Sequence, residues 1–249
     1  MFGLFSKQKT IKNNVRCVSD ATRVYAIGDV HGCLGALDQL LEKIRSDIGA
    51  FADDVRLVFL GDLIDRGPAS AEVIERVVRG PLPGSNVQVL MGNHEEAMLA
   101  AYDGSSDVRG WLSYGGMQTL ESYGISRAEH FAQGFDLTKR LREVVPPDHI
   151  AFLRSLPDHL RIGHYLFVHA GIRPGVPLEQ QRPEDLRWIR SGFLDNDTDH
   201  GMTVVHGHTI AETPQIRANR IGIDTGCYAG GPLTALVLEG CEQRFLQVQ

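Results

Sequence analysis

Apolar positions in the first hundred residues recur in a strand, loop, helix rhythm. Val24 to Ile27 is a short β-branched and aromatic run, and Leu34, Leu37, Leu40, Leu41, Ile44 and Ile48 follow at the spacing of one helical face. The rhythm repeats, with Val55 to Leu60 as strand, Gly61 to Pro68 as loop and Ala69 to Arg79 as helix. A third round places a strand over Val87 to Met91, a loop at Gly92 and Asn93, and a helix in the Glu, Ala, Met and Leu run that follows.

Between Glu96 and Leu166 the strand pattern fades. Gln118 to Tyr123, Thr138 to Val145 and His149 to Leu156 read as helices, a helical insertion over about 97–160 that should lie near the site. From Tyr165 onward the chain is strand-rich: Tyr165 to Val168, Met202 to Val205, Ile221 to Ile223, Leu233 to Leu238 and Arg244 to Val248. Early β-α-β units followed by strands imply an α/β protein with mixed sheets covered by helices, and we expect two sheets packed face to face. No repeat, low-complexity run or long linker divides the chain, so residues 21–249 read as one domain after an N-terminal tail, 1–20.

Composition narrows the function. The 249 residues, 43% hydrophobic and 22% charged, suit one sizeable soluble core. Against 31 Asp and Glu stand 25 Lys and Arg, a net charge of −6, so no global basic field holds a nucleic-acid backbone or an anionic membrane. An anionic substrate must be captured locally. No apolar stretch reaches the roughly 20 residues of a bilayer span, and Met1 to Phe5 is too short for a signal-peptide core; a cytoplasmic protein is expected. Cys17, Cys33, Cys227 and Cys241 form no C-x-x-C, so neither a zinc knuckle nor a disulfide framework is expected and the thiols should be reduced. Cys17 and Arg23 share the C-x5-R spacing of cysteine-dependent phosphatases, but no glycine lies between them and a strand follows. The anion-cradling loop at a helix N-terminus is therefore not expected there.

Three early loops each begin with Gly after a strand: Gly28-Asp29-Val30-His31-Gly32, Gly61-Asp62-Leu63-Ile64-Asp65-Arg66-Gly67, and Gly92-Asn93-His94-Glu95. Loops at the carboxyl ends of strands in an α/β sheet converge on one crevice. His169 after Leu166-Phe167-Val168, and His208 after Val204-Val205-His206-Gly207, complete a candidate ligand set. Carboxylate, imidazole and amide oxygen together suit Mn, Fe or Zn better than Mg or Ca alone. The chemistry implied is hydrolytic. Two such ions about 3.5–4 Å apart lower the pKa of a shared water and clamp both oxygens of an in-line displacement. They would also make the pocket locally positive in an acidic chain.

The ordered set GDVHG, GDLIDRG, GNHE, VHA and HGHT resembles the calcineurin-like metallophosphoesterases, and among them the small bacterial and phage members of the phosphoprotein phosphatase branch. The matching blocks run from residue 28 to about 209, with a weaker match at Ile223-Asp224-Thr225-Gly226. The resemblance implies a four-layer α/β/β/α sandwich of two mixed β-sheets flanked by helices, and a dinuclear site. By resemblance, Asp29, His31 and Asp62 would hold the first metal and Asp62, Asn93, His169 and His208 the second. Manganese is the expected ion, with iron or zinc as substitutes. His94 would protonate the leaving alkoxide, with Asp65 orienting its imidazole. Arg66 offers a planar fork to phosphate oxygens. A second phosphate arginine, expected in this branch, falls within Arg187-Trp188-Ile189-Arg190, with Arg190 preferred. Ile210 follows Thr209 where many other metallophosphoesterases carry the second histidine of a G-H-x-H pair, which favours the phosphoprotein phosphatase branch.

The activity implied is a serine/threonine-type protein phosphatase acting on a phosphorylated protein or a small phosphoester. The alternative is a symmetrical bis(5'-nucleosyl)-tetraphosphatase, which shares the motif set. A metal-binding scaffold without turnover would lack the general acid or a ligand, whereas His94, Asp65 and all six ligand residues are present. Trp111, Tyr114, Gly115 and Gly116 either pack the insertion or wall the substrate, packing being favoured. Tyr228 is a candidate for the pocket rim, and His206 is close enough to the motif to support a ligand.

Overall fold

The structure, a computed structural model, describes residues 16–49, 54–104 and 108–249. Strands β1 (Thr22–Ile27), β2 (Asp54–Phe59) and β3 (Asn86–Val89) run parallel, linked through helices α1 (Leu34–Ile48) and α2 (Ser70–Val78). A helical stretch follows: α3 (Asn93–Asp103), α4 (Val108–Trp111), a π-type turn over Leu112–Gly116, α5 (Met117–Ser122), α6 (Arg127–His130), α7 (Leu137–Val144) and α8 (Pro147–Arg154). Next come β4 (His159–Ile162), β5 (Tyr165–Val168), α9 (Pro183–Trp188), β6 (Thr203–His206), β7 (Gln215–Ile216), β8 (Arg220–Gly222), β9 (Leu233–Glu239) and β10 (Glu242–Val248). They form two five-stranded sheets, ordered β10-β9-β1-β2-β3 and β4-β5-β6-β8-β7. Both are mixed, since β9 lies antiparallel to β1 and β4 antiparallel to β5.

Alternation along β1 sets the layers. Tyr25 and Ile27 enter a core shared with Leu37, Leu41 and Ile44 of α1, while Val24 and Ala26 meet Tyr165, Phe167, Val205 and Ile221 of the second sheet. Residues two apart share a face, so β1 is buried on both sides, as a strand between helices and a second sheet must be. The far face of the second sheet, Leu166, Val168 and Val204, packs on Ile172, Phe193 and Leu186 of α9. Helix, sheet, sheet, helix is the four-layer sandwich expected. Leu120, Leu141, Ile150 and Leu153 from α5, α7 and α8 share the core of α1 and α2.

The expected helices at 118–123, 138–145 and 149–156 appear as α5, α7 and α8 within a few residues. The elements without a sequence signal are short or at an edge. β4 pairs only with β5 and buries only Ile162 of its four residues, so it needs no continuous apolar run. The π-type turn contains Gly115 at φ 110°, and glycine weakens any helical signal.

The cysteines correct one expectation. Cys17 and Cys241 form a disulfide rather than remaining as thiols. The turn between β9 and β10 returns onto the segment ahead of β1, where the Val18 N–H donates to Gly240 O at 2.8 Å. Motif spacing cannot show a pairing across 224 residues. Cys33 and Cys227 are free thiols. Val18 is buried between the sheets, so residues 16–20 of the expected tail are fastened to the domain. Residues 1–15, including Met1 to Phe5, lie outside the described residues. No helix among the described residues is long and apolar enough to cross a membrane.

Candidate metal-binding active site

The loops after β1, β2 and β3 are bound to one another through their backbones. Asp62 O accepts from the N–H groups of Val30 (3.1 Å) and His31 (2.9 Å), and Leu63 O accepts from Gly32 N at 2.8 Å. The Glu95 carboxylate, fully buried at the start of α3, accepts from Asp62 N and Leu63 N at 2.8 Å each and from Gly92 N at 3.1 Å. Burial, reinforced by the Asp62 charge, pushes the Glu95 carboxyl up to about 7. The non-glycine residues with left-handed backbone among the described residues are His31 (φ 47°), Asp62 (49°), Asp65 (71°), Arg66 (68°) and His208 (63°). Every one is an expected site residue. Such conformations cost free energy and persist where surrounding contacts enforce them. Glycine is required at Gly92 and Gly207, where a Cβ would stand 2.3 Å from Asp62 Oδ1 and 2.0 Å from Asp29 Oδ1.

Asp62 joins two clusters of metal-ligating side chains, His31, Asp62 and His94, and Asp62, His169 and His208. His31 Nδ1 lies 2.7 Å from Ile64 O, and a carbonyl only accepts, so Nδ1 carries the proton and Nε2 keeps a lone pair. That Nε2 is 3.6 Å from Asp62 Oδ2 and accepts from Arg66 Nη1 at 2.9 Å. Burial lowers the His31 pKa to about 3, which keeps its imidazole neutral. His169 donates Nδ1–H to Leu60 O (2.9 Å), and its Nε2 faces Asn93 Oδ1 at 2.9 Å and Asp62 Oδ2 at 3.3 Å. Burial alone would lower the His169 pKa; the Asp62 carboxylate prevails and holds it at about 9. His208 Nδ1 is 2.9 Å from the same Asn93 oxygen. Asp29 uses its carboxylate on the His208 N–H at 3.0 Å, beside both clusters rather than within either.

Charge is crowded here. Burial and then the neighbouring Asp224 charge raise the Asp29 pKa well above the carboxylate range. Asp224, itself raised by burial, accepts from Gly226 N at 3.0 Å through Oδ1 while its buried Oδ2 has no hydrogen-bond partner. Asp29, Asp62, Asp65, Glu95 and Asp224 are thus gathered around the His94 and His169 imidazoles, with Arg66 and Arg190 nearby. Imidazole nitrogens, carboxylates and an amide oxygen converging in such surroundings are chemically suited to divalent ions.

His94 is held from behind. Its Nδ1 lies 2.6 Å from Asp65 Oδ2, and its Nε2 points toward Asp62 Oδ2 at 3.8 Å. Asp65 also accepts from Trp111 Nε1 (2.8 Å) and Thr119 Oγ1 (2.5 Å). Burial would lower the His94 pKa, but the Asp62 and Asp65 carboxylates outweigh it and raise it. Trp111 does pack the insertion, as expected, yet its indole N–H also fixes a site carboxylate. Arg190 donates to His208 O at 3.2 Å, whereas Arg187 is engaged by Glu96 and Asp158 at 2.6 Å each. His206 is buried with Nδ1 3.0 Å from Gly207 O, directly beneath the His208 turn. Asp224 and Thr119 were not expected at the site. Only the weak match around Ile223-Asp224 signalled the first, and nothing local signalled the second.

Known proteins match along nearly the whole chain. A symmetrical bis(5'-nucleosyl)-tetraphosphatase from Methylococcus capsulatus is 37% identical over 290 aligned positions, covering 89% of this chain and 94% of its own. An asymmetrical bis(5'-nucleosyl)-tetraphosphatase, PrpE, from a Geobacillus strain is 28% identical over 232 positions, covering 86% and 89%. The crystal structure of a candidate diadenosine tetraphosphatase shares the fold with a TM-score of 0.63 at 23% identity, over 95% of this chain and 96% of that one. The profile of the calcineurin-like phosphoesterases aligns from residue 22, the first residue of β1, to residue 235 within β9, and so takes in every loop that delivers a side chain to the cleft. On that span of agreement, the chain belongs to the calcineurin-like phosphoesterase family.

Proposed function

We propose that the protein is a symmetrical bis(5'-nucleosyl)-tetraphosphatase, cleaving a dinucleoside tetraphosphate into two nucleoside diphosphates. The observation that carries this reading is the Methylococcus relative of that name, 37% identical across 89% of the chain. The motif resemblance alone favours a serine/threonine phosphatase. Relatives that align over most of their own length favour the dinucleotide.

Asp29, His31 and Asp62 would hold one divalent ion and Asp62, Asn93, His169 and His208 the other, with manganese the ion we favour. When bound, such ions supply an activated water and positive charge for the phosphoryl oxygens. The protein's own part is positioning and proton delivery. Asp65 accepts from Nδ1–H and, with Asp62, raises the His94 pKa toward the imidazolium, whose second proton, on Nε2 facing Asp62, is the one available for the leaving oxygen. Trp111 and Thr119 keep Asp65 an acceptor and prevent its rotation. Arg66 and Arg190 present planar forks to nonbridging oxygens of the polyphosphate.

The test is product analysis with manganese-loaded protein and diadenosine tetraphosphate. Two molecules of ADP are expected. ATP plus AMP would make the enzyme asymmetrical, and a higher kcat/KM on a phosphoserine peptide would return the protein-phosphatase reading.

A further inference from the structure

The cleft has a charged floor and an aromatic rim. Starting at Tyr228, rings follow one another around it. Tyr228 meets His31 (centroids 5.2 Å apart), His31 meets His94 (4.7 Å), His94 meets Tyr114 (6.4 Å), Tyr114 meets Trp188 (6.2 Å) and Trp188 meets His208 (6.4 Å). The histidines are buried, but Tyr114 is 47% and Tyr228 37% exposed. Both tyrosines contact Arg66, Tyr114 through its carbonyl (3.3 Å from Arg66 Nε) and Tyr228 through its ring (4.7 Å from the guanidinium carbon). All these ring contacts are edge-on, with interplanar angles from 62° to 84°, so no rim ring is sandwiched in a parallel stack. Neither tyrosine hydroxyl is needed to explain its place.

An exposed ring with free face area, set beside a phosphate-binding floor, is a stacking platform for a planar base. A substrate that is only a phosphate ester would use the floor and leave the rim bare. We propose that Tyr114 and Tyr228 are specificity-determining residues that stack the nucleobases on either side of the scissile polyphosphate. This rests on the reading of the substrate as a dinucleoside tetraphosphate and adds the source of its selection over simpler esters. Of the two, Tyr114 gives the cleaner probe, because Tyr228 also covers Arg66. Trp188 is held by its Nε1–H to Glu96 at 2.6 Å and backs Tyr114.

The experiment compares wild type with Tyr114→Leu, Tyr114→Phe, Tyr228→Leu and Tyr228→Phe. Steady-state kinetics use diadenosine tetraphosphate and the ring-free ester glycerol 2-phosphate, and calorimetry compares ADP with inorganic diphosphate. Each Leu variant should lose about tenfold in kcat/KM on the dinucleotide, mainly through KM, in keeping with one lost base stack. Each Phe variant should keep the wild-type value. The preference for ADP over inorganic diphosphate should shrink in the Leu variants by a similar factor. Equal losses on both substrates, no loss at all, or Phe variants as impaired as Leu variants would overturn the inference while leaving the dinucleotide reading intact. A wild-type enzyme that ignores diadenosine tetraphosphate and binds ADP no better than diphosphate would sink both.

Discussion

The two ends of β1 carry opposite solutions to the same problem. Where the strand begins, Arg23 pairs with Glu239 at 2.9 Å, and Asp47 accepts from Tyr25 and Arg244 at 2.6 Å each. Each cation there has an anion, and although burial alone would raise the Asp47 pKa, the Arg244 and Tyr25 bonds lower it. Where the strand ends, buried carboxylates outnumber the guanidiniums facing them, and Asp29, Glu95 and Asp224 are all pushed upward. The first end is complete as protein. The second is complete only with added positive charge, and that asymmetry distinguishes a structural ion cluster from a metal-binding one.

The contrast can be broken hardest at Asp62. Asp62→Asn removes the carboxylate common to both clusters, and metal content measured after gel filtration should fall at both sites, with turnover below detection; full retention of two ions would refute the bridge. Next in size, His94→Asn should lower kcat by roughly 10²–10⁴ with metal content unchanged. The loss should be greater on an alkyl phosphate, whose leaving alkoxide needs the proton more than a leaving nucleoside diphosphate does.

Metal binding itself sharpens the comparison. His169 is held at about 9, so at neutral pH an incoming ion must displace its proton. Because this pKa is raised, protonation stabilises the metal-free fold fully below the unfolded value of about 6.5 and that contribution fades as pH rises through 9. Manganese affinity should therefore climb between pH 6 and 9. Calorimetry in buffers of different ionisation enthalpy should show proton release at pH 7; a flat profile would contradict it. The smallest effect belongs to the balanced end. Asp47→Asn should cost about 1–3 kcal/mol of stability at pH 7, read by denaturant unfolding, with turnover unaltered. Since the Asp47 pKa is lowered, that difference is present above about pH 4 and should close as the solution is acidified further.

The sites differ equally in how far a reader of the chain could foresee them. Asp29, His31, Asp62, Asn93 and His94 lie in short motifs at strand ends, because a tight turn that must aim a ligand restricts several consecutive residues at once. Trp111 and Thr119 reach Asp65 from 46 and 54 residues away, out of a stretch whose glycines mask its helical period. The sheets were legible through β-α-β alternation, but β4 was not, since only Ile162 of its four residues is buried. The disulfide escaped entirely, because pairing across 224 residues depends on where β10 turns back.

That cross-link has a topological corollary. It closes nearly all the described polypeptide into a covalent ring running from residue 17 to residue 241. A single proteolytic nick at any surface loop within the ring opens it without separating the pieces, so cut protein should migrate as one species until a reductant is added. The same closure holds the segment ahead of β1 against the turn that leads into β10.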